Sequence, residues 1–319
     1  MRWERPIQKL RWYLREHRWR GIGYFAADMA FWRLRNLRHL YRVMKWKGMA
    51  RRRPSEQLCF EVQGLRLYLN PLDLGLSAEL AIDRVHEPIL TDVLQSLLHP
   101  GMTVVDVGAN LGYFALLAAR RVAPNGRVFA LEPFPASYQL LRRNIEANGF
   151  NHVVALPVAA GRSSGKRKIY VYPQANWNSF FSGNRKPIDE LDVDVCTLDN
   201  LLTNVPRVDL IRMDVEGAEL DVLYGSQKIL GNLSPKIVIE VHPTLLGVDG
   251  YRELLNLLSQ LGYDVLFAWG RHQDEVLWLQ WLTVMLHPNK EQNRTSITNL
   301  EKLFALEETI TIVFAKSTV

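Results

Sequence analysis

Acidic side chains and one histidine follow two apolar runs in the second half of the chain. Asp214 and Glu216 end one run, and Glu240 and His242 end another. Residues two apart on a strand point to the same side, so each pair would present its polar groups together. His242, whose ordinary pKa lies near neutrality, is the first candidate for a general base that takes a proton from an acceptor. Alternatively, the three carboxylates bind a divalent cation that lowers the pKa of the acceptor, although a metal-free site is the default prediction.

A turn with two glycines follows an earlier apolar run. Residues 103–107 are β-branched apart from Asp106, which favours a strand buried on both faces, and residues 111–122 have apolar residues at helical spacing. Gly108 and Gly112 would let the backbone approach a ligand where a Cβ atom would collide. The sequence therefore predicts a strand, a tight turn and a helix whose N-terminus receives the ligand.

The glycine spacing narrows the choice of ligand. A dinucleotide fingerprint, G-x-G-x-x-G, is absent because Asn110 and Tyr113 occupy its later two positions counted from Gly108. A second apolar run, residues 127–131, ends in Glu132, where an acid binds ribose hydroxyls in a doubly wound sheet. A ribose acid without a phosphate-binding glycine triad favours a nucleoside that lacks a pyrophosphate. The expected cofactor is S-adenosylmethionine.

The remaining patterns predict an α/β chain. Strands are expected at residues 58–62 and 65–69 as a hairpin, at 191–196 as an edge strand with one wet face, and at 153–158, 208–215 and 236–241. Helices are expected at residues 76–85, 87–98, 135–148, 198–202, 219–225 and 251–261. Residues 263–269 and 309–315 suit an antiparallel hairpin at the edge of the sheet.

Two segments stay outside these elements. Residues 161–190 are polar and rich in Gly, Ser and Asn around a strand-like stretch at 168–172, and we interpret them as a loop that covers the cofactor or the acceptor. Residues 270–308 form an insert whose apolar part, 276–286, is too short to span a membrane. That part lines an acceptor pocket, meets another subunit or packs on the N-terminal arm, and the sequence does not decide among these.

Basic residues are concentrated at the N-terminus. The 319-residue chain has a net charge of +6, but residues 1–53 carry 16 Lys and Arg against three acids, a balance of +13 that leaves −7 for the rest. Five of the nine tryptophans lie in the same arm. Basic residues interleaved with Trp and Leu predict, in order of preference, a membrane-surface helix, a packing or oligomer contact, or a nucleic-acid-binding segment.

The expected location is the cytoplasm, with the arm as a peripheral contact to a membrane. The longest apolar stretch of the arm, residues 21–32, contains Asp28, is too short to span a bilayer and lacks the features of a signal peptide. Cys59 and Cys196 give neither a disulfide framework nor a metal-binding spacing, as expected in a reducing compartment.

Six motifs carry a resemblance to a known family. They are residues 106–112, 132–135, 143–148, 197–202, 209–219 and 239–243, of which Asp214-Val-Glu-Gly-Ala-Glu219 is the most specific. Together with His86-Glu-Pro88, they resemble the FkbM family over residues 58–319. Arg212 departs from the pattern, because the family usually has Lys there; Arg keeps the cation but changes its geometry.

The resemblance implies a class I methyltransferase fold. This fold is Rossmann-like and doubly wound, with a mostly parallel seven-stranded sheet and an antiparallel edge hairpin. It would span residues 100–319, after a basic helical arm at 1–57 and a small hairpin and helix at 58–99. The predicted cofactor-binding residues are Asp106, Gly108, Asn110, Gly112, Glu132, Pro133, Phe134 and Asp214. The predicted catalytic residues are His242, Asp214, Glu216 and Glu240.

The expected function is O-methyl transfer from S-adenosylmethionine to a hydroxyl of a sugar, a glycan or a polyketide-like small molecule, because members of the family act on such hydroxyls. One alternative is RNA methylation, which the acidic body disfavours because a nucleic-acid enzyme needs basic residues around its active site. The other alternative is a non-catalytic adaptor at a membrane, which an intact donor site disfavours. A homo-oligomer is compatible with the sequence.

Overall fold

The computed structural model describes four stretches of the chain: residues 37–52, 58–172, 187–270 and 309–316. Most of the basic arm and the apolar insert at 276–286 lie outside these stretches. The roles predicted for them therefore stay predictions.

The chain divides into two compact units, residues 1–52 and residues 53–319. In the first unit, residues 37–50 form a helix (α1). Residues 58–99, predicted as a separate hairpin and helix segment, belong to the second unit. Among the described helices, none combines the length and the apolar character needed to cross a membrane.

Strands and helices alternate along the second unit, which is typical of an α/β fold with helices on both faces of a sheet. The described strands are Cys59–Val62 (β1), Leu65–Tyr68 (β2), Thr103–Val107 (β3), Arg127–Leu131 (β4), Val153–Leu156 (β5), Ala159–Ala160 (β6), Gly165–Val171 (β7), Asp189–Cys196 (β8), Leu210–Met213 (β9), Lys236–Val241 (β10), Tyr263–Gly270 (β11) and Ile310–Lys316 (β12). The described helices are Leu76–Asp83 (α2), Pro88–Leu97 (α3), Tyr113–Val122 (α4), Pro135–Asn148 (α5), Leu198–Leu201 (α6), Glu219–Tyr224 (α7), Gln227–Asn232 (α8) and Pro243–Gln260 (α9).

Seven strands form one sheet in the order β11-β12-β10-β9-β3-β4-β5. The neighbours from β10 to β5 pair in parallel, and β12 runs antiparallel to both β10 and β11. The predicted doubly wound, mostly parallel sheet with an antiparallel edge hairpin is confirmed. Because parallel strands end at the same edge, this order brings together the ends of β3, β4, β9 and β10.

The central strands are buried because their residues are apolar on both faces. Val105, Val107, Ile211, Ile237 and Ile239 are at most 1% exposed and share one core cluster with side chains of α7, α8 and α9. Strands with few polar residues are typical of parallel sheets covered by helices on both sides. A polar side chain in such a strand therefore indicates a specific role.

One predicted strand lies in a different sheet. The prediction of an edge strand at 191–196 is wrong, because β8 lies between β6 and β7 in a separate three-stranded sheet. Val193 and Val195 pack with Ile169 on one face of that sheet, while alternate residues of β8 are exposed. The alternating pattern indicates one wet face, but it does not indicate how many neighbours the strand has.

Two further elements differ from the prediction. The segment 161–190 is predicted as a loop around a strand-like stretch at 168–172; the strand found there, β7, begins earlier, at Gly165, and pairs antiparallel with β8. Residues 173–186 lie outside the described part of the chain. The last helix, α9, begins at Pro243 rather than near Tyr251, and its first turns include Gly247 with non-helical dihedral angles. Pro is tolerated at a first helical position because no N–H donor is needed there.

Two asparagines of α5 attach the N-terminal hairpin to the rest of the second unit. Asn144 accepts a hydrogen bond from the Tyr68 N–H at 2.6 Å and donates to the Tyr68 carbonyl oxygen at 3.2 Å. It also donates to the Leu111 carbonyl oxygen at 2.8 Å. One turn later, Asn148 makes the same pair of hydrogen bonds with the backbone of Arg66, at 2.9 and 2.8 Å. The two side-chain amides thus bond the backbone N–H and C=O groups at the edge of β2, as a neighbouring strand would.

We expect Asn144→Ala to lower the free energy of unfolding by about 2–4 kcal/mol, because it leaves buried backbone groups without partners. Asn148→Ala is the matched control. Its hydrogen bonds to Arg66 are exposed, so water can replace them and the loss should be about 1 kcal/mol or less. Urea unfolding followed by circular dichroism measures both variants, and equal losses would contradict the role of the buried amide.

Candidate active site

A cavity opens at the edge of the sheet where β3, β4, β9 and β10 end, which is where ligands bind in open α/β sheets. Acidic, basic and turn residues form one part of its lining: His86, Glu87, Gly108, Asn110, Glu132, Arg212, Asp214, Glu216 and Glu240. Apolar residues that include Leu131, Val158, Ala159, Ala160 and Ile169 form another part. The cavity thus offers an apolar surface next to a row of carboxylates.

Arg212 connects the ends of β3 and β9. It pairs in register with Asp106 and lies two residues before Asp214, so the three side chains share one face of the sheet. Its Nη1 donates to Asp106 Oδ1 at 3.2 Å and to the Gly108 carbonyl oxygen at 3.1 Å. Its Nη2 donates to Asp214 Oδ2 at 3.0 Å, and the Phe114 ring centroid lies 4.6 Å from its Cζ. One guanidinium therefore fixes three groups from two strands.

The charges around Arg212 balance one another in a buried place. Burial lowers the pKa of Arg212, but the charges of Asp106 and Asp214 raise it by more, so the guanidinium stays protonated. Burial raises the pKa of Asp106, and the charge of Arg212 opposes that rise. Asp106 is 2% exposed and is not among the residues that line the cavity. It therefore acts through Arg212 rather than on a ligand.

Glu132 lies at the end of β4, in the position predicted for a ribose-binding acid. Its two carboxylate oxygens accept hydrogen bonds of 2.8 Å from the backbone N–H groups of Asn110 and Phe134. Burial raises the pKa of Glu132 to about 7; the charges of Asp106 and Asp214 add to the rise, and the two backbone hydrogen bonds oppose it. The side chain is thus held in a fixed orientation and is partly protonated at neutral pH.

The two turn glycines allow close contacts within the protein. Gly108 has a φ of +83°, and a Cβ atom there would lie 1.9 Å from the backbone oxygen of Asp214. A Cβ atom on Gly112 would lie 2.7 Å from the Cδ1 atoms of Leu116 and Leu141. That these glycines also let the backbone approach a ligand stays a prediction. They allow the turn to contact the end of β9 and α4 to pack on α5.

The predicted cofactor-binding residues divide into two groups. Gly108, Asn110, Glu132, Pro133 and Asp214 line the cavity. Asp106, Gly112 and Phe134 lie behind that lining, where they position Arg212, α4 and Glu132. The structure brings five of the eight predicted residues to one cavity, but motif spacing does not separate residues that can touch a ligand from residues that support them.

The four predicted catalytic residues lie together at the ends of β9 and β10. His242 Nδ1 is 2.8 Å from Oε1 of Glu219, a fully buried acid at the start of α7. Its other ring nitrogen, Nε2, lies 3.9, 3.7 and 3.8 Å from carboxylate oxygens of Asp214, Glu216 and Glu240, and it has no hydrogen-bond partner. The three carboxylates line the cavity, whereas His242 lies behind them.

The electrostatics of this cluster argue against His242 as the general base. Burial lowers the pKa of His242, but the charge of Glu216 and the hydrogen bond and charge of Glu219 outweigh burial and raise the pKa to about 10. A raised pKa favours the protonated ring, which has no lone pair left to take a proton from an acceptor. Because His242 also lies behind the lining of the cavity, the geometry favours the carboxylates that line it, rather than His242, as candidates for the base.

Four polar residues of this region, Arg212 among them, have no site role in the sequence prediction. His86 and Glu87 line the cavity, and His86 Nδ1 lies 2.9 Å from Glu79 Oε2. Glu219 contacts His242 from behind. Their positions in the sequence motifs could have identified them. His86 and Glu87 belong to His86-Glu-Pro88, and Glu219 ends the most specific motif.

Comparison with known proteins matches the chain to a family model described as the methyltransferase FkbM domain, over residues 106–265. Methyltransferase 1 of Beauveria bassiana is 30% identical over 198 residues, which cover 55% of this chain and 77% of that protein. The matched range includes the glycine turn, Glu132 and the carboxylate cluster around His242.

Two other relatives have names that state an acceptor. The 31-O-demethyl-FK506 methyltransferase FkbM of Streptomyces tacrolimicus is 30% identical over 203 residues, which cover 53% of this chain and 75% of that protein. The hexuronic acid methyltransferase AglP of Haloferax volcanii is 29% identical over 184 residues, which cover 53% of this chain and 70% of that protein. With a family model that spans half of its length and the site described above, the chain belongs to the FkbM methyltransferase family, and S-adenosylmethionine is its cofactor.

Proposed function

We propose that this protein transfers a methyl group from S-adenosylmethionine to a hydroxyl of a small molecule, with a sugar or a polyketide as the acceptor class. The observation that carries the proposal is that Glu132 lines the same cavity as Glu216 and Glu240. One acid that binds the methyl donor and two acids that face the acceptor then lie in the same cavity. This arrangement suits transfer of a methyl group between two small molecules bound side by side. Two relatives are named for acceptors of this kind, a demethylated FK506 and a hexuronic acid.

The residues around the cavity fit the cofactor. Both oxygens of Glu132 are oriented by backbone N–H groups, which suits hydrogen bonds from two ribose hydroxyls. Leu131, Ala159 and Ala160 supply apolar surface suited to a purine ring.

Glu216 is the residue that we assign to the acceptor proton. It lines the cavity and is 18% exposed in its side chain, whereas Glu240 is only 4% exposed and Asp214 is bound by Arg212. Its backbone is left-handed, with a φ of +47°, a conformation that costs a non-glycine residue on the order of 1–3 kcal/mol and that clusters at functional sites.

The chemistry divides between the cofactor and the chain. S-adenosylmethionine supplies a methyl group on a sulfonium, and its transfer leaves a neutral thioether. Glu216 takes the proton of the acceptor hydroxyl as the oxygen bonds to the methyl carbon and the carbon–sulfur bond breaks. Orientation of the two substrates contributes the larger part of the rate, about 7–11 kcal/mol, and a general base contributes about 10²–10⁴ in rate.

Binding of the nucleoside part of the cofactor should strengthen as the pH rises from about 6 to about 8. Glu132 loses its proton over this range because its pKa is about 7, and the carboxylate accepts hydrogen bonds from ribose hydroxyls more strongly than the neutral acid does. The probe is 5′-methylthioadenosine, which carries the ribose and has no group that ionises near neutral pH. Calorimetry measures its affinity across the range.

The matched variant for this profile is Glu132→Gln, which keeps the shape of the side chain and removes its charge. It should bind the probe more weakly than the wild type by about 1.5–3 kcal/mol at high pH and show no pH dependence. If the affinity of the variant for the probe changed with pH as steeply as that of the wild type, the pH dependence would belong to another group. Unchanged affinity would remove Glu132 from the site.

Glu216→Gln should lower kcat for methyl transfer by about 10²–10⁴ and leave the affinity for S-adenosylmethionine within about threefold, because the general base acts on the acceptor. The matched control is Glu253→Gln, an exposed acid that bonds Tyr224 outside the cavity and should keep full activity. The assay follows labelled methyl groups into hexuronic acids, polyketides and RNA. Label in RNA alone would overturn the small-molecule acceptor, and equal rates in the two variants would overturn the assignment of Glu216.

We also propose that α1 holds the protein at the cytoplasmic face of a membrane. Leu37, Leu40, Tyr41 and Met44 recur at helical spacing on one side of α1 and are 53–66% exposed. Trp46, on the opposite side of the helix, is fully buried. An exposed apolar stripe of this length is unusual on a protein surface and indicates a binding face.

Charge identifies the surface that would cover this stripe. Arg38 and Lys45 are exposed along one side of it, and Lys47 is exposed along the other. Basic residues beside an apolar stripe complement a membrane with anionic lipids, which attracts each Lys or Arg near its surface by about 1 kcal/mol. The +13 balance of residues 1–53 adds to this attraction.

The full-length protein should float with anionic phospholipid vesicles at low salt, and the double variant Leu40→Glu/Met44→Glu should not, because the charges prevent insertion of the stripe. His39→Glu, which adds one negative charge, half that of the double variant, on an exposed position of α1 away from the stripe, is the control and should still float. Flotation of the double variant at the wild-type level would exclude this stripe as the membrane contact, and no flotation of the wild type would exclude membrane binding.

A further inference from the structure

One buried ring nitrogen is surrounded by carboxylates without bonding to any of them. His242 Nε2 lies 3.9 Å from Asp214 Oδ1 and 3.8 Å from Glu240 Oε1, and candidate ligand atoms of these three residues lie within 4.8 Å of one another. His242 is 5% exposed, and Nε2 is buried without a hydrogen-bond partner. The nitrogen is therefore aimed into the carboxylate cluster.

These separations are too long for hydrogen bonds. A hydrogen bond between a charged N–H and a carboxylate measures about 2.7–2.9 Å, which is the distance that Nδ1 of the same ring reaches to Glu219. Two donor atoms that each lie about 2.1 Å from one metal ion are about 3–4 Å apart, depending on the angle between them. The spacing around Nε2 thus matches ligands that share an ion.

The other side of the ring has the partner that a metal-binding histidine needs. Such histidines nearly always donate the N–H of the second ring nitrogen to a carboxylate or a carbonyl, which directs the lone pair of the first nitrogen toward the metal. Glu219 Oε1 lies 2.8 Å from His242 Nδ1 and is itself held by the N–H of Gly217 at 3.0 Å. The Glu219 carboxylate therefore sets the orientation of the ring.

The two oxygens of Asp214 have different surroundings. Oδ2 accepts a hydrogen bond from Arg212 Nη2 at 3.0 Å, and Oδ1 faces His242 Nε2. Arg212 thereby holds this carboxylate with one oxygen toward the cluster. From this geometry we infer that Asp214, Glu240 and His242 form a site for one small divalent cation, with Glu219 as a positioning residue.

Two carboxylates and one imidazole suit Mn²⁺ and related divalent ions better than they suit Ca²⁺, which prefers six to eight oxygen ligands. The sequence predicts a metal-free site by default, because the carboxylates alone lack an assured further ligand. In the structure, His242 supplies that ligand. A cation that binds here displaces the proton from Nε2, because a metal takes the neutral imidazole.

The catalytic consequence of the cation rests on the proposed methyl transfer. Asp214 and Glu240 line the cavity, so a cation between them would meet the acceptor hydroxyl and lower its pKa. Glu216, on the same edge, would then take the proton from a more acidic hydroxyl. The binding of the cation does not depend on that role.

Titration of Mn²⁺ into the full-length, chelator-treated protein, with free Mn²⁺ followed by electron paramagnetic resonance, tests the site without cofactor or acceptor. We expect one Mn²⁺ per chain in the wild type. Glu219→Gln should weaken Mn²⁺ binding by about 10- to 100-fold, as is typical when a group that orients a ligand is lost, and His242→Ala and Asp214→Asn should weaken it by more.

The controls are His99→Ala and Asp92→Asn, which remove the same side-chain types from exposed positions outside the cluster and should bind Mn²⁺ as the wild type does. Thermal unfolding of each variant shows whether it is folded, and Glu219→Gln and Asp214→Asn carry the test if His242→Ala is not. No bound Mn²⁺ up to about 1 mM, or unchanged binding in the folded cluster variants, would overturn the inference. Because methyl transfer is assayed separately, a failed metal site and a failed methyltransferase proposal give different results.

Discussion

The site depends on one buried guanidinium. Arg212 bonds Asp106 on β3, the carbonyl oxygen of Gly108 and Asp214 beyond β9, so the two strand ends cannot shift independently. Removing one partner of a buried ion pair typically costs about 3–5 kcal/mol, because the remaining charge loses its compensation. Lys, which is usual at this position in the family, is a single point charge and cannot serve three acceptors in the same planar arrangement. The Arg in this chain therefore gives a tighter connection between the strands that form the cavity.

Asp214 connects Arg212 to the glycine turn on one side and to the carboxylate cluster around His242 on the other. Its backbone oxygen lies 1.9 Å from where a Cβ atom on Gly108 would be, one carboxylate oxygen accepts a hydrogen bond from Arg212, and the other faces His242. Neighbouring acids raise the pKa values of two groups at this edge for different reasons. Burial raises the pKa of Glu132 most, and the charges of Asp106 and Asp214 raise it further because they disfavour another negative charge. Burial lowers the pKa of His242, but the acids around its ring raise it by more because they favour a positive charge. Donor binding and acceptor chemistry are thus both sensitive to the charge held at this edge.

The sequence predicts the parts of the site that depend on local pattern. Because residues two apart on a strand point to the same side, the sequence predicts that Asp214 lies beside Glu216 and that Glu240 lies beside His242. The parallel strands then bring both pairs to the sheet edge where Glu132 also lies. What the sequence does not predict depends on contacts between distant elements. The pKa of His242 follows from acids on three elements, including Glu219, and the place of β8 in a second sheet follows from its pairing with β7. The supporting roles of Asp106 and Gly112 also become visible only when the neighbouring strands and helices are in place.

Amide hydrogen exchange of the full-length protein, with and without S-adenosylmethionine, tests most directly whether the cofactor binds at the edge that Arg212 organises. Backbone N–H groups in the glycine turn and after Glu132 hold the proposed donor site, so binding should stabilise them. We expect slower exchange at residues 108–112, 132–134 and 214–219 when the cofactor is present. Unchanged exchange in all three segments, or protection confined to other parts of the chain, would contradict this location of the methyl-donor site.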